Sequence, residues 1–296
     1  MRRSPALALA ALAAACAAPA PERVVTTPAA APAPAPLAQA GLATFAYAGE
    51  LTQGGWIRGQ VPADSVSARL GDQALTLDSQ GRFFAAFDRD AGPQAALTAT
   101  LRGGRVVTAP LAVSARAWQI EHVDTPLRPG GATPEEFIRR RQTELAGIGA
   151  AKALETGSEG WRQIFIWPAR GRISGLFGSQ RVYRGGEAGA YHSGLDIAGG
   201  AGTTYVAPAD GVVVLAAVDQ EFSLEGHLLI VDHGQGLNSA FLHASQLLVH
   251  EGDRVKQGQP LGRIGMTGRA TGPHLHWSLT WRGRRLDPLL FVPPMP

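Results

Sequence analysis

Cysteine is nearly missing from this chain: Cys16 is the only one in 296 residues, so no disulfide can form within it. There is no Lys/Arg block and no interleaving of basic with aromatic residues, which excludes a nucleic-acid-binding surface of the usual basic kind. The formal charge of +3 says little about the C-terminal half, where eleven Lys/Arg from Trp167 onward meet ten Asp/Glu. The N-terminal Ala/Leu run from Ala6 to Ala15 is too short to span a bilayer as a stable anchor. An H-E-x-x-H helix motif is absent, which argues against a metalloprotease with a carboxylate base beside its ligands. Gly (37) and Pro (21) are plentiful, and they favour short strands and turns over long helices. The length leaves room for two ordinary domains.

Residues 1–20 carry Arg2, Arg3, the short apolar run and then small residues, the layout of a secretory signal. Cys16 follows Ala13-Ala14-Ala15 and resembles a bacterial lipoprotein box, although Leu12 stands four rather than three residues before it. Two readings stay open: an ordinary signal cleaved nearby, or outer-membrane attachment through a lipidated Cys16. Both take the protein out of the cytoplasm. Residues 21–41 are Pro/Ala-rich and lack the apolar side chains of a core, so they read as an extended tether.

Residues 42–118 alternate short strand-like runs with turn signals such as Gly54-Gly55, Gly71-Asp72 and Gly103-Gly104. About seven strands in this space predict a small Ig-like β-sandwich, a spacer or docking module without a cluster of catalytic residue types. Residues 119–166 form a helical linker. Thr133-Pro134-Glu135-Glu136 is a capping box, and Phe137, Ile138, Leu145, Ile148, Ala151 and Leu154 predict one apolar stripe to about Glu155. Arg139, Arg140 and Arg141 read as a solvated face.

From 167 to 293 the texture becomes glycine-punctuated strands, predicting a compact, antiparallel β domain in a mainly β protein. Thr204–Pro208, Asp210-Gly211 and Val212–Val218 read as a β-hairpin. Near the end lies Thr271-Gly-Pro-His-Leu-His-Trp277, in which His274 and His276 share one strand face with apolar neighbours on the other. That is half of a metal site. His192 and Asp196, four apart in extended chain, also share a face and are plausible ligands. His122 and His250 read as surface residues, and His227 and His233 as structural hydrogen-bonding residues at the two ends of one strand. His243 is a further strand histidine that on its own reads as a core or rim residue.

Taken together, His192-x-x-x-Asp196, His243 and His274-x-His276 resemble the M23 zinc metallopeptidases, the lysostaphin/LytM-like peptidoglycan endopeptidases. Phe177-Gly178, Ala207-Pro-Ala-Asp-Gly-Val212, Asp232-His-Gly-Gln-Gly236 and Gly252-Asp-x-Val-x-x-Gly-Gln259 add to the resemblance, which covers about residues 167–290. The sandwich and helix are similar to the N-terminal region of a proteobacterial branch of that family. The resemblance implies that His192, Asp196 and His276 bind one Zn2+ and that His243 and His274 are catalytic without being ligands. Where the family usually has Tyr-x-His-Leu-Ser, this chain has Phe241-Leu-His243-Ala-Ser245, so a hydroxyl is lost and substrate contacts are expected to differ.

Two imidazoles and one carboxylate leave a fourth zinc position open, the arrangement of a catalytic rather than a structural site. His243 and His274 would then share proton removal from the attacking water with stabilisation of the tetrahedral intermediate or protonation of the leaving amine. The expected substrate is a peptidoglycan peptide, cut in its stem or cross-link, most plausibly at the D,D-cross-link of a proteobacterial wall. The alternative is a catalytically weak relative that binds peptidoglycan or activates an amidase. Gly252–Gln259 also resembles the hairpin of a lipoyl- or biotinyl-type carrier, but no lysine stands in the modified setting.

Overall fold

A computed structural model describes residues 41–125, 135–218 and 221–295. The secretory signal, Cys16, most of the Pro/Ala tether and the Thr133-Pro134 start of the helix lie outside the described residues. Gly41–Pro296 forms one compact unit. No helix among the described residues is long and apolar enough to cross a membrane.

The protein is mainly β, as the strand and turn signals predict. Its N-terminal part folds as two antiparallel sheets. One has three strands, in the order Ala46–Gly49, Trp56–Gln60, Arg82–Ala86. The other has four, in the order Gln73–Ala74, Ser65–Leu70, Gln94–Leu101, Val106–Ala112. Period-two burial explains the second sheet: Leu97, Ala99 and Leu101 turn inward from Gln94–Leu101 while the threonines between them stay half-exposed. Both sheets contribute to one hydrophobic core that runs on into the C-terminal half. Aromatic rings join them there: Trp56 lies 5.3 Å from Phe291 and Phe84 lies 6.2 Å from Trp281, centroid to centroid. The Trp56 indole N–H also donates to the Leu290 carbonyl at 2.8 Å.

The C-terminal half is built on a ten-stranded antiparallel sheet. Its central strands are His227–Asp232, Leu237–Leu247, Leu275–Trp281 and Leu195–Ala198, with Arg172–Gly175 at one edge. The middle strands are buried on both faces, as their nearly unbroken apolar runs require. Beneath them a hydrogen-bond chain links buried polar groups. The Trp277 indole N–H donates to Ser239 Oγ at 3.3 Å, Ser239 Oγ to His233 Nε2 at 2.7 Å, and His233 Nδ1 to the Asp210 carbonyl at 2.8 Å. His233 is therefore structural, and burial pushes its pKa down to about 4.

Two expectations need correction. Thr204–Val206 and Gly211–Ala216 do not form a hairpin: the first pairs with Pro260–Ile264, the second with His227–Asp232 and Arg254–Val255. Asp210 instead anchors a neighbouring turn, accepting from the Gln257 N–H and from Lys256 Nζ, both at 2.8 Å. The helix runs Glu135–Lys152, and only part of its expected apolar stripe is buried. Ile138, Leu145 and Leu154 are exposed, while Ala151 and half-buried Ile148 pack on the sheet beside Leu228 and Ile230. The other buried residue of the helix is an acid, Glu144, and it pairs with Arg140 and Arg141 at 3.0 Å each. Arg141 is thus drawn out of solvent rather than lying on a solvated face.

Candidate active site

Sheet register assembles the site. Asp196, on Leu195–Ala198, stands directly opposite His276 on Leu275–Trp281, so the two side chains share a face. His192 precedes that strand in an irregular segment fixed by two backbone bonds, its N–H to the Ser179 carbonyl and its carbonyl from the Gly178 N–H, both at 2.8 Å. Three donor atoms meet there. His192 Nε2 lies 3.1 Å from Asp196 Oδ1 and 3.1 Å from His276 Nδ1, and His276 Nδ1 lies 2.9 Å from Asp196 Oδ1. Among the described residues these three form the one His/Cys/Asp/Glu group with donors close enough to share a metal ion.

The tautomers tell what such a triangle is for. His192 Nδ1 is 3.0 Å from the Leu176 carbonyl, which can only accept, so Nδ1 carries the hydrogen. In the neutral ring Nε2 is then a lone pair facing a carboxylate oxygen, a repulsive arrangement unless a cation lies between them. Two imidazole nitrogens and one carboxylate oxygen are a zinc-type donor set. The residues present therefore fit a metal ion. A proton on His192 Nε2 would relieve the same repulsion, and the pKa directions describe that protonated cluster. Burial alone would raise the Asp196 pKa, but bonds from His192 and His276 hold it well below the usual carboxylate range. Burial lowers the His276 pKa more than Asp196 raises it. At His192 burial pulls the pKa down, yet the bond to Asp196 and its charge leave it raised.

Two more histidines close in. The rings of His243 and His274 lie 4.9 Å apart, and that of His243 lies 6.2 Å from His276. His274 Nε2 is 3.6 Å from Asp196 Oδ1. Each ring is oriented by a backbone carbonyl at Nδ1, Thr267 for His243 and Gly272 for His274, both at 2.8 Å. Nδ1 is thus the donor in each, which leaves Nε2 of both rings turned toward the site. Burial pushes the His243 pKa down to about 4, so that ring is neutral at pH 7. Its backbone has φ +66, a left-handed conformation that costs a non-glycine residue about 1 kcal/mol or more and often marks a functional position.

All five residues singled out in the sequence, His192, Asp196, His243, His274 and His276, line one open groove. Gln119, Ile120 and Glu121 line it too, because Ile120–His122 pairs in parallel with Gln180–Val182. The 179–190 loop lines the groove rather than filling it. The expected consequence of losing a tyrosine hydroxyl does not hold. Phe241 is fully buried and stacks on Tyr205 at 5.4 Å, so the change falls in the core and not in the groove.

Sequence reasoning missed the residues that hold these five in place. A Cβ on Gly194 would lie 2.6 Å from His276 Nε2, and one on Gly175 3.0 Å from the Asp196 carboxyl carbon and 3.1 Å from His192 Cε1. Thr267 supports the His243 ring, and Leu176 supplies the carbonyl behind His192. Gly194 lies inside the His192–Asp196 motif, so close packing there was the one available signal. The others come together through long-range contacts alone.

Comparison with known proteins agrees with this geometry. Residues 190–288 match the family model for peptidase family M23. The peptidoglycan DD-endopeptidase ShyA of Vibrio cholerae is 37% identical over 124 residues, which are 42% of this chain and 28% of that protein. The murein hydrolase activator NlpD of Escherichia coli is 34% identical over 133 residues, 45% of this chain and 31% of that one. The matched stretch thus spans about a third or less of these relatives. A crystal structure from Pseudomonas aeruginosa assigned to the M23 peptidases superposes with a TM-score of 0.61 at 26% identity, covering 82% of this chain and 95% of that one. Residues 190–288 are thus an M23 peptidase domain.

Proposed function

We propose that this protein is an extracytoplasmic zinc-dependent endopeptidase that hydrolyses amide bonds in peptidoglycan stem peptides or cross-links. The observation that carries the reading is the convergence of His192 Nε2, Asp196 Oδ1 and His276 Nδ1 in an open groove, beside two further imidazoles oriented through Nδ1. Those three residues would hold Zn2+, which supplies a Lewis acid and a water of lowered pKa. The rest is done by the chain itself. His243 and His274 are aimed by backbone carbonyls at Nδ1, and the neutral His243 ring presents an Nε2 lone pair, the arrangement needed to accept a proton from the attacking water. Once protonated, either ring can donate to the leaving amine or to the developing oxyanion. The open groove admits an extended peptide, and the secretory N-terminus directs the protein to the wall, with Cys16 as the attachment point if it is lipidated.

The similarity to NlpD supports a second reading, a peptidoglycan-binding protein that activates another hydrolase. The filled set of three ligands and two free imidazoles favours hydrolysis, because binding alone does not need it. Solubilisation of labelled sacculi separates the two. The zinc-loaded protein is expected to release label by itself, to stop on chelation and to recover with zinc. Release that occurs only when a second hydrolase is added would support activation instead.

A further inference from the structure

The helix Glu135–Lys152 carries a charged cluster where an amphipathic helix would place leucines, and that cluster leads to the groove. Arg141 forks onto Glu225 with Nη1–Oε2 and Nη2–Oε1 both at 2.7 Å, and its Nη1 also reaches Glu144 Oε2 at 3.0 Å. The side chains of Arg141, Glu225 and Glu144 are 18%, 15% and 3% exposed. Glu144 Oε1 accepts from the Ser223 N–H at 2.8 Å and the Ser223 hydroxyl at 2.7 Å. The helix therefore grips the 223–225 segment at two points. That segment in turn grips His243. The Glu225 carbonyl accepts the His243 N–H at 2.9 Å, and the Leu224 carbonyl accepts the Arg269 N–H at 3.0 Å. The His227 N–H donates to Thr267 Oγ1 at 2.9 Å, and the Thr267 carbonyl orients the His243 ring.

We infer that the linker helix is a clamp on the catalytic groove: Arg141, seated on Glu144 and forked onto Glu225, is a positioning residue for His243. The inference rests on the proposed role of His243 in hydrolysis. A fork of two parallel charged bonds fixes orientation as well as distance, which apolar contact of the same area does not. His243 needs such support from outside, because its left-handed backbone is not the conformation its own strand would choose. The helix belongs to the linker between the two halves of the chain. The clamp therefore makes the geometry of the groove depend on a segment that precedes the matched peptidase residues.

The test compares the full-length chain with Arg141→Ala, Arg141→Lys and, as a control, Arg139→Ala, whose partner Glu135 is solvent-exposed. Hydrogen exchange of the segments around 223–227 and 243–245 reads the clamp, and steady-state hydrolysis of a soluble cross-linked muropeptide reads its consequence. Arg141→Ala is expected to speed exchange in both segments and to lower kcat by about ten- to a hundredfold, with KM and zinc content near wild type. Arg141→Lys keeps the charge without the fork and should fall between the two; it also serves if the alanine variant does not fold. Arg139→Ala should match wild type. Unchanged exchange, or faster exchange with kcat intact in an active enzyme, overturns the clamp. A wild-type protein that releases no product refutes the hydrolase reading instead, and the grip on His243 is then decided by exchange alone.

Discussion

Gly175→Ala tests the donor triangle without removing any donor. Gly175 sits on an edge strand opposite Asp196, with ordinary backbone angles. Alanine there should by itself be neutral or slightly stabilising, by about 0.4–1 kcal/mol through the unfolded state. Its Cβ, however, would stand 3.0 Å from the Asp196 carboxyl carbon and 3.1 Å from His192 Cε1, and closer still to Asp196 Oδ2. Non-bonded carbons rest at about 3.5–4.0 Å, so the carboxylate must recede by roughly half an ångström to an ångström. Metal–ligand distances tolerate only about 0.2 Å, and the donor edges of 2.9–3.1 Å leave no slack to absorb the shift. Changes behind a ligand cost about ten- to a hundredfold in metal affinity, and this one displaces the proposed ligand Asp196 itself. The expected loss of zinc affinity is therefore about a hundredfold, or ~2.7 kcal/mol. Competition titration against a chromogenic chelator measures it, with thermal unfolding of the metal-free proteins as the control for folding. A folded Gly175→Ala protein with wild-type zinc affinity would refute the reasoning.

Other outcomes follow from the same geometry. His243→Ala and His274→Ala should each lower turnover by about a hundredfold or more while keeping bound zinc, since neither belongs to the donor triangle; wild-type turnover at full zinc occupancy would remove that residue from the mechanism. His233, buried and neutral with a pKa near 4, makes the fold acid-sensitive. The unfolded chain takes up a proton near pH 6.5 and the folded one does not, so its contribution is complete above about pH 6.5. It is lost as pH falls toward 4, by on the order of 3 kcal/mol. Urea unfolding at pH 7 and pH 4.5 should show a smaller difference for His233→Asn than for wild type, and equal differences would contradict this. Gly194→Ala, which would press on His276, is expected to weaken zinc binding as Gly175→Ala does.

The candidate site was legible because its chemistry is carried by residue types at fixed short spacings. His274 and His276 are two apart in extended chain, where period two puts them on one face, and cross-strand register sets Asp196 against His276; His192, close in sequence, is brought in by its backbone bonds to Gly178 and Ser179. The mainly β class was legible for a related reason, since glycine-punctuated apolar runs leave little choice. What the sequence hid depends on pairing between distant segments. Asp210-Gly211 looks like a hairpin turn, yet Asp210 is drawn to Lys256 and Gln257 and its flanking strands find other partners. The helix stripe misled because a buried Glu144 receives bonds from Arg140, Arg141 and Ser223, and no periodicity rule anticipates an acid as the buried anchor. Phe241 looked like a lost contact to substrate, but its place opposite Trp277 on the inner face of the sheet is visible only in the fold.

The central claim is that the zinc-loaded groove cuts peptide bonds of the wall. Mass spectrometry of muropeptides from purified sacculi, digested by the zinc-loaded protein with His276→Ala in parallel, tests it most directly. The account predicts loss of cross-linked dimers and appearance of the corresponding monomers, with no such change for His276→Ala. Sacculi left intact by the zinc-loaded protein, or cut equally well by His276→Ala, would contradict it.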